Sequence, residues 1–160
     1  MNHRVIEIKQ LRGECRVVEV EPDHAVYIAD ISESQVVIKG KCMKVVAIDV
    51  QKSMIAVHSV AVTVEVARAK ASLFVLGACP MAVLEQCVEC RIGVVGKKAE
   101  MRLRRCASLS LVRLEGVNME KETPESLDEI CRSKKEEHLP DEMQILLEEG
   151  AVKSSIVKNG

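Results

Sequence analysis

Two cysteines sit three positions apart in "LEQCVECR", Cys87 and Cys90, at the spacing of half a zinc site. A structural site needs a second pair of ligands at suitable spacing, and none follows. The pair therefore reads as cysteines at successive positions round a corner of the chain. The four histidines (His3, His24, His58, His138) are scattered, and no Ser–His–acid or Cys–His set follows from their spacing. His58 follows an apolar residue, Val57, and reads as an outward, solvated side chain. "MRLRRC" offers Arg102, Arg104 and Arg105. An exposed arginine can stabilise charge on a transferring phosphoryl group, although a solvated basic edge accounts for the run as well. No catalytic residue, metal or cofactor is expected from these positions.

The composition restricts the partners. Lys+Arg is 23 against Asp+Glu 24, so the chain lacks the basic surplus of a nucleic-acid binder. One Tyr, one Phe and no Trp cannot furnish a stacking platform for bases. No run of about eighteen apolar residues is present, so no membrane span is expected. The N-terminus "MNHRVIEIKQ" has no unbroken apolar signal region. Seven cysteines, an odd number, read as reduced thiols in a cytosolic protein, mostly acting as small hydrophobes.

A period organises the rest. "VVIKG" starts at Val36, "VAIDV" at Val46, "IAVHS" at Ile55, "VEVAR" at Val64, "LFVLG" at Leu73 and "AVLEQ" at Ala82. The steps are ten, nine, nine, nine and nine, and the first and third residues of each run are apolar. The same phase reaches back to Val26/Ile28 and Val18/Val20, and forward to Ile92/Val94, Met101/Leu103 and Leu109/Leu111. A fixed period marks a stacked fold, and alternation at period two marks strands with one face inward. About nine residues hold a strand plus a corner but no helix. Two units make a coil of about eighteen residues, and eleven runs give five to six coils. The predicted fold is all-β: a parallel β-helix whose thin interior suits stiff Val and Ile. The residues between the inward pairs (Val37, Ala47, Ala56, Glu65, Phe74, Val83) include several apolar ones. At least one outer face should therefore be covered, by a partner or by another part of the chain.

The beat stops near Val117. Thr123-Pro124 reads as a helix N-cap and first position, with Leu127, Ile130 and Cys131 on one side. "LPDEMQILLEEG" predicts a second short helix, opened by Pro140, closed by Gly150, with Met143, Leu146 and Leu147 on one face. The tail "AVKSSIVKNG" reads as a strand in need of an edge. Residues 1–160 thus divide into a solenoid core over about 17–116, a variable stretch with short helices over 117–150, and a terminal strand over 151–160.

"AVYIADISESQVVIKGKCMKVVAIDVQKSM", "VEVARAKASLFVLGACPMAVLEQC" and the ending "LPDEMQILLEEGAVKSSIVKNG" resemble the C-terminal domain of the adenylyl cyclase-associated protein family. The specific points are "IKGK" at 38–41, the Gly77-x-x-Pro80 corner and the proline-led segment before the last strand. The match covers about 25–96 and 139–160 and is poor over 97–138. The resemblance implies a right-handed β-helix that dimerises by exchanging C-terminal strands. It also implies binding of monomeric actin, preferentially with ADP, and faster exchange of ADP for ATP. The helical domain, proline-rich linkers and short actin-binding segment of full-length members do not fall within these 160 residues.

On the matched segment, Lys39, Lys41, Lys44, Asp49 and Lys52 are the candidate actin contacts, since a lysine cluster could steer an encounter with an acidic protein. A solubilising face is the plainer account of any one of them. Val152, Lys153, Ser154, Ser155, Ile156 and Val157 are the candidate dimerisation strand, as β-augmentation supplies main-chain hydrogen bonds to a solitary tail. The expected partners are monomeric actin and a second copy, and the expected place is the cytoplasm, with the cytoskeleton. The rival reading comes from the related tubulin-folding cofactor C domain, which shares the β-helix and stimulates a GTPase through an exposed arginine. Arg102, Arg104 and Arg105 could serve, but that family's glutamine-led motif is missing here. Hexapeptide acyltransferases, of period six, and polysaccharide-cleaving β-helices, with clustered carboxylates, fit less well.

Overall fold

Val, Ile and Ala in alternation favour extended backbone, and the chain is extended almost throughout. The computed structural model describes residues 4–96, 99–139, 143–148 and 151–155, the last two segments as backbone. Its strands are β1 (Arg4–Arg12), β2 (Cys15–Glu19), β3 (His24–Ser32), β4 (Gln35–Gln51), β5 (Met54–Lys70), β6 (Leu73–Ala78), β7 (Met81–Glu85), β8 (Arg91–Val94), β9 (Ala99–Arg104) and β10 (Leu109–Arg113). Helix α1 (Pro124–Ser133) and strands β11 (Glu136–Leu139), β12 (Met143–Glu148) and β13 (Ala151–Ser155) follow.

The first ten strands pair with one another only in parallel and wind into a β-helix with two broad sheets. The long β4 and β5 turn a corner and serve both. Their first halves join β2, β6, β8 and β10 in the first sheet, and their second halves join β1, β3, β7 and β9 in the second. The expected solenoid is present, and it begins at Arg4.

Its register differs in detail from a strict beat of nine. In the first sheet Val36, Ile55, Phe74, Ile92 and Leu111 stack, at steps of 19, 19, 18 and 19 residues. In the second, Val26, Val45, Val64, Ala82 and Met101 stack at steps of 19, 19, 18 and 19. Two of the expected inward pairs are therefore displaced by one residue. Val45 and Ala47 point inward where Val46 and Ile48 were expected, and Phe74 and Leu76 replace Leu73 and Val75 in the lumen.

The displacements arise at the corners. Near Gly40 the β4–β5 register shifts between Ile38 and Lys41 and between Cys42 and Lys44, and left-handed residues break the alternation twice per coil. Gln10, Asp30, Asp49, Arg68, Gln86 and Arg105 have φ between 53 and 58°, and each precedes an inward residue: Leu11, Ile31, Val50, Ala69, Cys87 or Cys106. Gly13, Glu33, Lys52, Ala71, Glu89 and Ser108 form a second such column. Only one of these twelve is glycine, so each of the others costs about 1–2 kcal/mol of backbone strain. Backbone bonds offset it by continuing through the corners, as in Glu33 N–H to Gln51 O at 3.1 Å and Lys52 N–H to Lys70 O at 3.0 Å. Buried serines complete the ladder. Ser34 accepts from Glu14 N–H, Ser53 from Ser34 N–H and Ser72 from Ser53 N–H, and each hydroxyl donates to the carbonyl two residues before it.

The outer face of the first sheet is apolar and covered from within the chain. Val37, Met54, Ala56, Leu73, Val75 and Val112 pack under Leu114, Met119, Leu127 and Cys131. Thr123 caps α1 as expected, in a reciprocal capping box with Ser126, and Pro124 opens the helix. Gly93 allows the close approach, because a Cβ there would lie 2.9 Å from Leu114 Cδ1 and 3.2 Å from Cys131 Sγ.

The last coil is closed by antiparallel strands, β11 on β10 and β12 on β9. The helix expected from Pro140 to Gly150 is not formed: Met143–Glu148 is strand, with Met143 opposite Leu103 and Leu147 opposite Ala99. Its i, i+3, i+4 apolar spacing suits a helix, but the bare edge of β9 offers backbone partners that override local propensity.

Val57 is 1% exposed, between Ile38 and Leu76 in the lumen. Val57→Asp should cost at least about 4 kcal/mol and leave the chain unfolded. A thermal melt like that of the unmodified chain would contradict this register.

Candidate functional site

The cysteines settle into the wall and lumen. Cys87 and Cys106 stack in the column that follows the left-handed residues, and Cys90 takes the position held by serines in earlier coils. A hydrogen bond with Cys106, and then burial, pushes the Cys87 thiol up; burial pushes Cys90 and Cys131 up to about 11. These groups are neutral thiols at physiological pH. Among the described residues, one trio of side chains is close enough to share an ion: Glu21, Asp23 and His24. Arg4 already bridges its two carboxylates, at 2.7 Å to Glu21 and 3.1 Å to Asp23, and His24 Nδ1 accepts from Glu21 N–H.

The histidines remain apart. His3 lies outside the described residues, and His138 is exposed on β11. His58, expected to be solvated, is half-buried beneath the 117–120 segment, and its shielded Nε2 finds no hydrogen-bond partner among the described residues. Burial, and next Lys39, lowers its pKa. Arg102, Arg104 and Arg105 are exposed along and just beyond β9, with Arg102 3.8 Å from Glu100.

The outer face of the second sheet carries no covering element among the described residues. Three rows cross it in register: Ala25–Lys44–Thr63, Tyr27–Val46–Glu65–Val83–Arg102 and Ala29–Ile48–Ala67–Glu85–Arg104. Tyr27, Val46, Ile48, Ala67 and Val83 are partly exposed and form an apolar strip. Paired charges edge it. Lys44 meets Glu65 at 2.7 Å, Asp49 meets Arg68 at 2.7 Å, and Lys9 lies 5.4 Å from the centre of the Tyr27 ring. The Arg68 hydrogen bond holds the Asp49 carboxyl below its usual range. Val46 and Ile48, the pair expected inward, give this face much of its apolar character; the corner at Gly40, with its register shifts between Ile38 and Lys41 and between Cys42 and Lys44, was the missing signal.

The five candidate contacts share one coil but not one spot. Lys39 and Lys41 are exposed on either side of Gly40, at the corner leading from the first sheet to the second. Neither forms an ion pair with a described residue. Lys44 stands on the open face, Asp49 at its far end, and Lys52 beyond the next bend. Of the candidate dimerisation residues, Val152, Lys153, Ser154 and Ser155 lie in β13, antiparallel to β12 of the same chain, while Ile156 and Val157 lie outside the described residues.

Parallel coils with one face covered, one face open and an antiparallel cap define a β-solenoid domain. The chain belongs to the family described as adenylate cyclase associated (CAP) C terminal, which it matches over residues 2–159. Its fold is similar to that of the cyclase-associated protein from Cryptosporidium parvum, with a TM-score of 0.63 at 15% identity, over 98% of this chain and 87% of that one. No curated protein is close enough in sequence to count as a match. No helix among the described residues is long and apolar enough to cross a membrane.

Cys15 is exposed and the other six cysteines are buried. A thiol reagent such as Ellman's should therefore titrate one group in the native chain and seven after denaturation. Rapid native reaction of several groups would contradict the placement of the cysteines in the wall.

Proposed function

We propose that this chain binds monomeric actin, preferring the ADP form, and regulates actin dynamics by promoting nucleotide exchange or by sequestering monomers. The carrying observation is the contrast between the two sheets. Both outer faces are apolar at the centre, and α1 covers one while the other is left open with a rim of charge. Membership of the CAP C-terminal family makes actin the natural occupant. The contacts lie on the open face and the adjoining lysine corner: Lys39 and Lys41 steer the encounter, Lys44 and Asp49 edge the apolar strip, and Lys52 extends it.

No catalytic group is needed for such a role. A partner that favours one actin conformation shifts its population and so loosens the nucleotide, whose site belongs to actin. The setting is the cytoplasm, alongside the cytoskeleton.

The chain also pairs with a second copy through its C-terminal strands. The β12–β13 hairpin lies on the edge of β9, and the same register on a partner's β9 would exchange identical elements without changing the type of hydrogen bond.

Lys39→Glu with Lys41→Glu should weaken ADP-actin binding about tenfold, that is by ~1.4 kcal/mol, without moving the melting temperature. Unchanged affinity in a titration of labelled ADP-actin removes the lysine corner from the site. Deleting residues 151–160 should give monomers by light scattering; a truncated chain that stays dimeric contradicts the exchange.

A further inference from the structure

Backbone geometry requires small residues at the corner between the two sheets. Gly40 has φ +94°, and a Cβ on it would lie 2.8 Å from Val20 O. A Cβ on Gly77 would lie 2.0 Å from His58 O. Both glycines line an open cavity of about 520 Å³, with the segment from Val117 to Glu120 on its other side.

The groups on its wall are unusually unengaged. His58 Nε2 is shielded and has no hydrogen-bond partner among the described residues. The Ser59 hydroxyl and the Lys41 ammonium line the cavity and bind no described residue. Lys39 is close enough to act on the His58 ring electrostatically. Val95, Val117 and Met119 supply apolar wall.

We propose that this corner cavity is a recognition site for an acidic peptide segment, taking one Asp or Glu carboxylate with apolar neighbours. The Lys41 ammonium, a hydroxyl and an imidazole on the wall, with Lys39 close by, suit a carboxylate, which needs several donors when it leaves water. Flanking aliphatic side chains would rest on Val95, Val117 and Met119. Glu120, the acidic group lining the cavity, repels a doubly charged phosphate more than a single carboxylate. The proposal goes beyond the actin reading, and a probe without actin tests it.

The sign of the proton linkage follows from the charged groups around His58. Burial and Lys39 lower its pKa, Glu120 raises it, and Lys41 shares the cavity wall. A bound carboxylate adds a negative charge, so the pKa rises in the complex. Binding therefore tightens as pH falls through the His58 titration.

The probe is N-acetyl-Leu-Asp-Leu-Val amide, titrated into the full chain while the histidine ring protons are followed by NMR. His58 should shift saturably while His24 and His138 stay still, and its titration midpoint should move upward with peptide bound. Lys39→Glu with Lys41→Glu, with circular dichroism unchanged, should weaken the response at least tenfold. The same peptide with Asn in place of Asp should give no response. A His58 signal unmoved at millimolar peptide overturns the proposal, as does an equal response to the Asn peptide. Displacement of the peptide by low-millimolar inorganic phosphate overturns it in favour of a general anion site. A chain that binds ADP-actin yet gives no peptide response defeats this inference alone.

Discussion

Each lumen side chain stands where it does because the backbone ladder passes from coil to coil without a break at the corners. Left-handed residues turn the chain, and their N–H groups still donate to the next coil, as Glu33 does to Gln51 and Ala71 to Val88. Stacking then puts like on like. Val36, Ile55, Phe74, Ile92 and Leu111 share one column, and a polar residue at Ile55, Phe74 or Ile92 would face apolar residues above and below. The lack of large aromatics follows from the same constraint, since a narrow lumen rewards shape over bulk. Phe74 stands between Ile55 and Ile92, and its burial supplies ~1.5–3 kcal/mol.

Stacking also determines what the surface can do. A residue facing inward in one coil faces inward in the next, so each outer face inherits a continuous row character. On the first sheet that character is apolar, and α1 answers it with Leu127 and Cys131. On the second sheet the apolar strip from Tyr27 to Val83 is left open and framed by ion pairs. Such exposed pairs add little stability, on the order of 0–1 kcal/mol each, and are better understood as setting which partner can approach. The corner at Gly40 and Gly77 is a third surface type. There the close approach of neighbouring carbonyls demands residues without side chains, and the same corner lines a cavity with uncommitted donors.

Much of this was legible in the residues. Alternating Val and Ile at a near-constant spacing specify parallel coils, and Thr123-Pro124 specifies the start of α1. The apolar residues left between inward pairs foretold a covered face. Phase was harder, because one left-handed residue such as Asp49 or Arg68 flips the alternation and nothing marks it as such; Asp and Arg are ordinary surface residues. Arg68 and Ala71 thereby shift Phe74 into the lumen, and the corner at Gly40 turns Val46 and Ile48 outward. The Met143–Glu148 strand was hidden for a different reason, since only the tertiary structure reveals the β9 edge that recruits it. Charge and segment locate the lysine set on one coil but cannot say that Lys39 lies at the corner within β4 and Lys52 beyond its end.

The single phenylalanine offers the most direct test of the register. Nuclear Overhauser contacts from the Phe74 ring should reach methyl groups of Ile55 and Ile92, the residues above and below it in the lumen column. Contacts from that ring to Leu127 and Met119 instead would place Phe74 under the helix and contradict the stacking of coils at about nineteen residues.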